Sequence, residues 1–471
     1  MAARAALADL PGREDAGRRL AIAAGVVVSG VVVGAAAALS PVLAVAALVG
    51  ITFVFVCFRS LPAGLAFFVV LTFFERLPGS PSSGLTLVKG AGLVLAVAWL
   101  ASIAASRGEA PLLFRDHPWV SYTAIFFIGW SFASVLWAAD SGSARFETTR
   151  LLQNLVLMFI VFTAISKREH LYWLVGAYLG GSFLTAVVGL AGGTSSEQFN
   201  PYADSSRLTG GITDPNELAA LLIPALVIGA FLIPIVASPL LRWLLASLVL
   251  VLALALFFTQ SRGGLLALAV VMVVTPFLAG PVRLRSLVVI LMVAALGVGY
   301  FALVAPPAAL SHVTHFSVGS GTGREDLWKV SIQMFKNHPV AGVGTGNFQV
   351  IEPRYAVRNL NLQRVDLVVD NPKVAHNTYL HILTELGVVG IIAFGGIIVG
   401  SLGVAVRAIR LLARRGERSL EILARGLLIG TLGMLAAFVF ITAQYEKQLW
   451  LLLGACLALS TLARAGESES A

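Results

Sequence analysis

The chain has 471 residues, 58% of them hydrophobic and only 12% charged, with a mean hydropathy of +0.88. Soluble domains carry about 25% charged residues, so a water-soluble fold is excluded and the chain reads as an all-α polytopic integral membrane protein. The formal net charge of +9 fits Lys and Arg held in cytoplasmic loops; nucleic acid is not expected as a partner, because no basic stripe interleaved with aromatics stands on a soluble domain.

In chain order, a basic tail (1–19) with Arg4, Arg13, Arg18 and Arg19 precedes the first apolar run. That run is too long for a cleaved signal peptide and has no small-residue cleavage site after it. Hydropathy predicts about fourteen spans, with twelve as the lower count. They lie near 20–38, 41–58, 61–74, 85–105, 119–138, 151–165, 171–193, 216–237, 239–258, 263–280, 286–304, 377–405, 424–443 and 448–463. This divides the chain into a bundle of about eleven spans over 20–304, a large loop over 305–376, C-terminal spans over 377–463 and a cytoplasmic tail over 464–471. With the N-terminus inside, the basic clusters Lys167-Arg168, Arg283/Arg285 and Arg407–Arg418 all fall on the cytoplasmic face. The segment 194–215, the turn Thr259–Arg262 and the large loop then face outward. A loop of that length is usually functional. Cys57 and Cys456 sit inside apolar runs and read as packing residues.

The polar residues worth attention gather on the outward face. Asp214-Pro215-Asn216-Glu217 reads as a helix start, with Asp214 as cap and Pro215 in the first turn. Arg207, in the Gly-rich stretch upstream, reads either as a solvated charge or as an anion contact. Ser261-Arg262-Gly263-Gly264 is wedged between two spans. An arginine at helix-centre depth costs about 2.5–3.5 kcal/mol, so Arg262 is expected to face a cavity or a partner rather than lipid headgroups. The glycines after it allow close approach of a ligand or backbone. In the large loop an amphipathic helix runs from Arg324 to about Lys336. A Gly-rich connector with Gly342, Gly344 and Gly346 follows. Trp328, Phe335, Phe348 and Tyr355 either stack on sugar rings or form the loop's own core. At the loop's end stands His376-Asn377. His376 is suited to general-base work, and His381 and Glu385 are spaced to pair on one helical face.

The histidines are not at zinc-ligand spacing, and no P-loop, dinucleotide fingerprint or nucleophile elbow is present. An ion-coupled transporter would place ionisable groups at mid-membrane, where these spans are almost without them.

His376-Asn377, nine residues, Gly387, two residues and Gly390 is similar to the signature of the O-antigen ligase and O-antigen polymerase superfamily. Arg207…Asp214-Pro215-Asn216, Ser261-Arg262-Gly263 and Gly323-Arg324…Trp328…His338-Pro339…Gly342-Val343-Gly344 fit the same family in order. The resemblance covers roughly residues 200–400. It implies a GT-C-like membrane glycosyltransferase that takes a glycan from an undecaprenyl-pyrophosphate carrier to a hydroxyl acceptor. That acceptor is the lipid A core in a ligase, another lipid-linked glycan in a polymerase, or a protein side chain in a related branch. No metal or other cofactor is expected. The resemblance assigns essential roles to Arg207, Arg262 and His376. Arg324, Asn216, Asn377 and Trp328 are expected to contact substrate. A lipid-linked glycan flippase and a structural membrane scaffold are the readings from other classes.

Overall fold

The computed structural model describes residues 30–31, 33–35, 37–73, 87–106, 112–192, 207–209, 214–305, 323–357, 362 and 373–465. The basic N-terminal tail, most of the expected first span, residues 194–206, much of the large loop and the tail beyond Ala465 lie outside the described residues.

Every expected span after the first has a helix: α1 Pro41–Arg59, α2 Leu61–Thr72, α3 Leu87–Ala105, α5 Pro118–Ala133, α6 Ser141–Ala164, α7 Arg168–Gly192, α8 Pro215–Leu232, α9 Pro239–Phe258, α10 Arg262–Leu278, α11 Arg283–Leu303, α14 Thr378–Arg414, α15 Arg418–Ala437 and α16 Lys447–Ala465. The short α4 (Leu113–Asp116) precedes α5, and the large loop contains α12 (Arg324–Asn337) and α13 (Phe348–Ala356). Among the described residues, 9 helices are long and apolar enough to cross a bilayer unaided. The chain is an all-α polytopic membrane protein. Helix is the form that satisfies every backbone N–H and C=O inside lipid.

The bundle's interior is built on α8, α15 and α16. The most hydrophobic stretch of α8 is 89% buried, and those of α15 and α16 are each 83% buried. Gly426, Gly430 and Gly433 let α15 approach α8 closely: a Cβ at Gly433 would lie 2.6 Å from Ile223 and from Val271 of α10. Small residues are what allow such contact between helices in lipid, where no hydrophobic gain drives association. Cys57 and Cys456 are buried, unbridged packing residues, as expected.

Two helices depart from their expected extents. α6 begins about three turns earlier than hydropathy suggests, because Asp140 caps it by accepting from the Gly142 amide at 2.8 Å. Its first turns carry Glu147 and Arg150, 2.9 Å apart, which a hydropathy window rejects. α14 has 37 residues and is broken at Gly387 (φ 67°, ψ −166°).

The basic clusters share one end of the bundle. Arg168 on α7 pairs with Glu417, just before α15, at 2.6 Å. Arg425 donates to the Leu278 carbonyl at the end of α10 at 2.6 Å. The large-loop helices and the start of α14 lie at the other end.

Candidate active site

Residues 207–209 are tied to the turn between α9 and α10. Leu208 N donates to the Phe258 carbonyl at 3.0 Å. Arg207 Nε donates to the Thr259 carbonyl at 2.9 Å, and its Nη2 to Asn216 Oδ1 at 3.2 Å. The same Asn216 oxygen accepts from Ser261 Oγ at 2.8 Å. Asn216 Nδ2 donates to Asp214 Oδ1 at 2.8 Å, and that oxygen also accepts from the Asn216 amide as the cap of α8. Ser261 Oγ in turn accepts from Gly264 N at 3.1 Å and caps α10. One buried asparagine thus joins Arg207, the cap of α8 and the cap of α10, and Arg262 is the first residue of the helix so capped.

Gly263 and Gly264 serve helix packing here. A Cβ at Gly263 would stand 2.7 Å from Phe440, and one at Gly264 would stand 2.7 Å from Ala219 of α8. Gln260, immediately before the Ser261-Arg262 pair, has φ 51°.

The large-loop helices bring the second set of residues to this place. Arg324 opens α12 behind Gly323, whose φ of 62° turns the chain into the helix. The Arg324 guanidinium feels the Asp214 carboxylate and the Arg262 guanidinium. Burial lowers its pKa, yet an arginine stays cationic at neutral pH. Trp328, one turn on, donates its indole N–H to the Ala375 carbonyl at 3.0 Å. This contact anchors the residue before His376.

His376 has φ 47°. With Gln260 it makes up the non-glycine positions of positive φ among the described residues. Such conformations cost on the order of 1–3 kcal/mol and collect at functional sites. Burial, and then the Arg324 guanidinium, push the imidazole down to about 4; Asp214 opposes this, and Lys373 and His381 add to it. The ring is therefore neutral at pH 7, the state in which one nitrogen accepts a proton. Asn377 caps α14, its Oδ1 accepting from Tyr379 N and Leu380 N at 3.0 Å each. This leaves its NH₂ for other contacts. Thr378 Oγ1 donates to the Ile441 carbonyl at 2.7 Å and accepts from Ala443 N at 3.0 Å, which holds the start of α14 against the turn that follows α15.

The Gly-rich connector is a joint. The break at Gly387 leaves α14 carbonyls and an amide unpaired, and the loop supplies their partners. Val343 N donates to Thr384 O at 3.0 Å, Gly344 N to Glu385 O at 2.8 Å, and Val388 N to Pro339 O at 2.9 Å. Trp130 Nε1 of α5 takes Leu386 O at 3.0 Å. The approach is close enough that a Cβ at Gly342 would lie 2.3 Å from the Glu385 backbone, and one at Gly387 2.1 Å from Val340 O. Non-helical backbone at membrane depth is tolerated where protein surrounds it.

His381 and Glu385 pair at 3.2 Å, as their spacing predicts, and Glu385 also accepts from Phe348 N at 3.1 Å. Phe348 and Tyr355 belong to the loop's own apolar core.

The structure therefore brings Arg207, Asn216 and Arg262 together through hydrogen bonds and the Ser261 cap. Arg324 and His376 lie within electrostatic reach of Asp214 in the same cluster. Trp328 bonds to the residue before His376, and Asn377 follows it as the cap of α14. Sequence reasoning passed over Lys373 and gave Asp214 only a capping role. A lysine three residues before a candidate base was the available signal.

This charge pattern on helix ends invites comparison with known families. Residues 246–395 match the O-antigen ligase family model. The matched stretch runs from the middle of α9 to the middle of α14, about a third of the chain. It contains Arg262, Arg324, Trp328, His376 and Asn377, while Arg207 and Asn216 lie upstream of it. No curated protein matches the chain. At family level, an O-antigen ligase match points to glycan transfer by a multi-pass membrane protein.

Proposed function

We propose that this protein transfers a glycan from an undecaprenyl-pyrophosphate carrier to a hydroxyl acceptor at the loop end of the bundle, as an O-antigen-ligase-like enzyme. The observation that carries this reading is the clustering of Arg207, Arg262 and Arg324 with a neutral His376 where the large loop meets the spans. The leaving group is a lipid pyrophosphate. Guanidinium groups match its oxygens in bidentate fashion and stay charged. In this reading Arg207 and Arg262 hold the diphosphate and stabilise the charge that grows on it, and Arg324 adds a contact. Asn216 sets the relative positions of Arg207 and the α10 cap.

His376 accepts the acceptor hydroxyl's proton as that oxygen attacks the anomeric carbon. The anomeric carbon–oxygen bond to the pyrophosphate breaks, and the carrier leaves as lipid pyrophosphate. Direct attack inverts the anomeric configuration. The basic clusters at the opposite end favour an orientation with that end cytoplasmic, so the site faces outward across a bacterial inner membrane. No metal takes part in this scheme.

The test is purified protein with undecaprenyl-pyrophosphate-linked glycan and three acceptor classes: lipid A core, a second lipid-linked glycan, and a polypeptide. A single transferred glycan on lipid A core is the expected product. A ladder of lengthened glycans would reassign the protein as a polymerase, and transfer to polypeptide would reassign it as a protein glycosyltransferase. Lipid movement without transfer to any acceptor would refute the reading. Activity should survive chelation; loss with recovery on adding a divalent ion would refute the metal-free scheme.

A further inference from the structure

A second charged concavity stands at the basic end of the bundle, far from the site above. From the break at Gly387 to Arg407, α14 rises roughly 30 Å at about 1.5 Å per residue, close to the thickness of a bilayer's hydrocarbon core. There α14, the α4–α5 junction and the end of α16 enclose a cleft of about 260 Å³. Its polar lining is Asp116, His117, Arg407, Ser460 and Arg464.

The charges in it are unbalanced. Asp116 is engaged by Arg115 outside the cleft at 3.3 Å. His117 Nε2 is bonded to Ser460 Oγ at 2.7 Å. Burial, and then the Arg464 guanidinium, hold the His117 imidazole below its ordinary value, so the ring adds no positive charge. Arg407 and Arg464 both act on that ring, and neither guanidinium has a hydrogen bond or ion pair among the described residues. Beside the cleft the first turns of α5 present Trp119 and Tyr122, 71% and 65% exposed. Tryptophan and tyrosine in that setting mark the level of lipid headgroups.

We propose that this cleft binds the phosphate of an anionic glycerophospholipid, with Arg407 and Arg464 as the two cations. Basic pockets between spans bind lipid headgroups by this chemistry. Two forked guanidinium groups on different helices grip a phosphate that a single surface arginine would leave exchanging with bulk lipid. The bound lipid ties α16 to α14 at the end where no loop domain holds them together.

The experiment is native mass spectrometry of the full chain in mild detergent, titrated with phosphatidylglycerol, phosphatidylcholine or inorganic phosphate. Wild type is expected to retain one phosphatidylglycerol more tightly than any phosphatidylcholine. Arg407→Gln with Arg464→Gln is expected to weaken that lipid at least tenfold, at about 1 kcal/mol for each cation near a lipid surface. Arg407→Lys with Arg464→Lys, which keeps both charges and the fold, is expected to retain part of it. Arg410→Gln with Arg414→Gln, on the same helix but outside the cleft, is expected to leave it unchanged. Equal loss in both glutamine pairs, or no loss in the first, overturns the proposal. Phosphate binding without lipid preference overturns the assignment to a lipid.

Discussion

α8 and α3 have nearly the same mean hydropathy, 1.8 and 1.9, yet the first is 89% buried and the second 22%. Hydropathy tells which segments enter the bilayer, because lipid and protein interior are equally apolar to a leucine. What separates the two helices is their ends and their partners. α8 starts at Pro215 behind its cap Asp214, its Asn216 accepts from Arg207 and Ser261, and it lies on the glycine face of α15. The partners that the rest of the fold offers, here a cap shared with α10 and a glycine-lined neighbour, decide how deep α8 lies; apolar length alone does not.

The strongest way to break this contrast is at the anchored ends. Arg262→Ala should lower kcat for glycan transfer about 10²–10³-fold, and His376→Ala roughly 10²–10⁴-fold. Arg242→Ala, at the exposed start of α9, should leave transfer unaltered. Assays of protein that elutes as the wild-type species would check this, and an inactive Arg242→Ala would remove the distinction between arginines of the candidate site and arginines elsewhere on the bundle.

The glycine face offers a smaller effect. Gly433→Leu should destabilise the bundle by about 1–3 kcal/mol through overpacking, because its added atoms meet Ile223 and Val271. Gly299→Leu on α11 meets open space and should change the melting temperature in detergent little. Equal shifts from both would mean that the close contact between α8 and α15 contributes nothing.

The loop core sharpens the comparison through pH. Glu352 on α13 is buried, both its carboxylate oxygens lack a hydrogen bond among the described residues, and burial pushes its pKa up to about 7 against the pull of Lys373. Between an ordinary carboxyl value of about 4.3 and 7, the folded protein keeps a proton that the unfolded chain has released. Stability therefore falls as pH rises through that window and then levels. Glu352→Gln should gain on wild type by roughly 1–3 kcal/mol at pH 8 and show no such gain at pH 4, read by hydrogen exchange over α13. A gain that does not depend on pH would assign the effect to packing.

The smallest effect is expected from Ser261→Ala. It removes the cap of α10 at about 1 kcal/mol and should reduce transfer more than it lowers melting temperature, because Arg262 loses its fixed start.

The spans were legible in the sequence because an uncharged run of about twenty residues has few uses other than crossing a bilayer. Arg207, Arg262, Arg324 and His376 were singled out by their loop contexts and by the family resemblance, while their convergence depends on contacts between distant segments that only the fold makes. The start of α6 was not legible, because its early turns are polar and find their partners only in the fold: Arg150 stacks over Tyr445 at 4.5 Å, almost three hundred residues on. α13 was hidden by its length and by Pro353 within it. The role of Gly387 was invisible because a glycine in an apolar run signals neither a break nor what will fill it. The Arg407–Arg464 cleft needs two chain segments that only the fold brings together.

The joint between Gly342 and Gly387 is made of main-chain atoms on both sides. Those main-chain bonds are therefore indifferent to the side chains carried by α12 and α13, whereas Trp328 of α12 holds the Ala375 carbonyl through its indole N–H. The exposed faces of those helices are thus open to redesign, provided that Trp328, which holds the residue before His376, and Arg324, which acts on its ring, are kept.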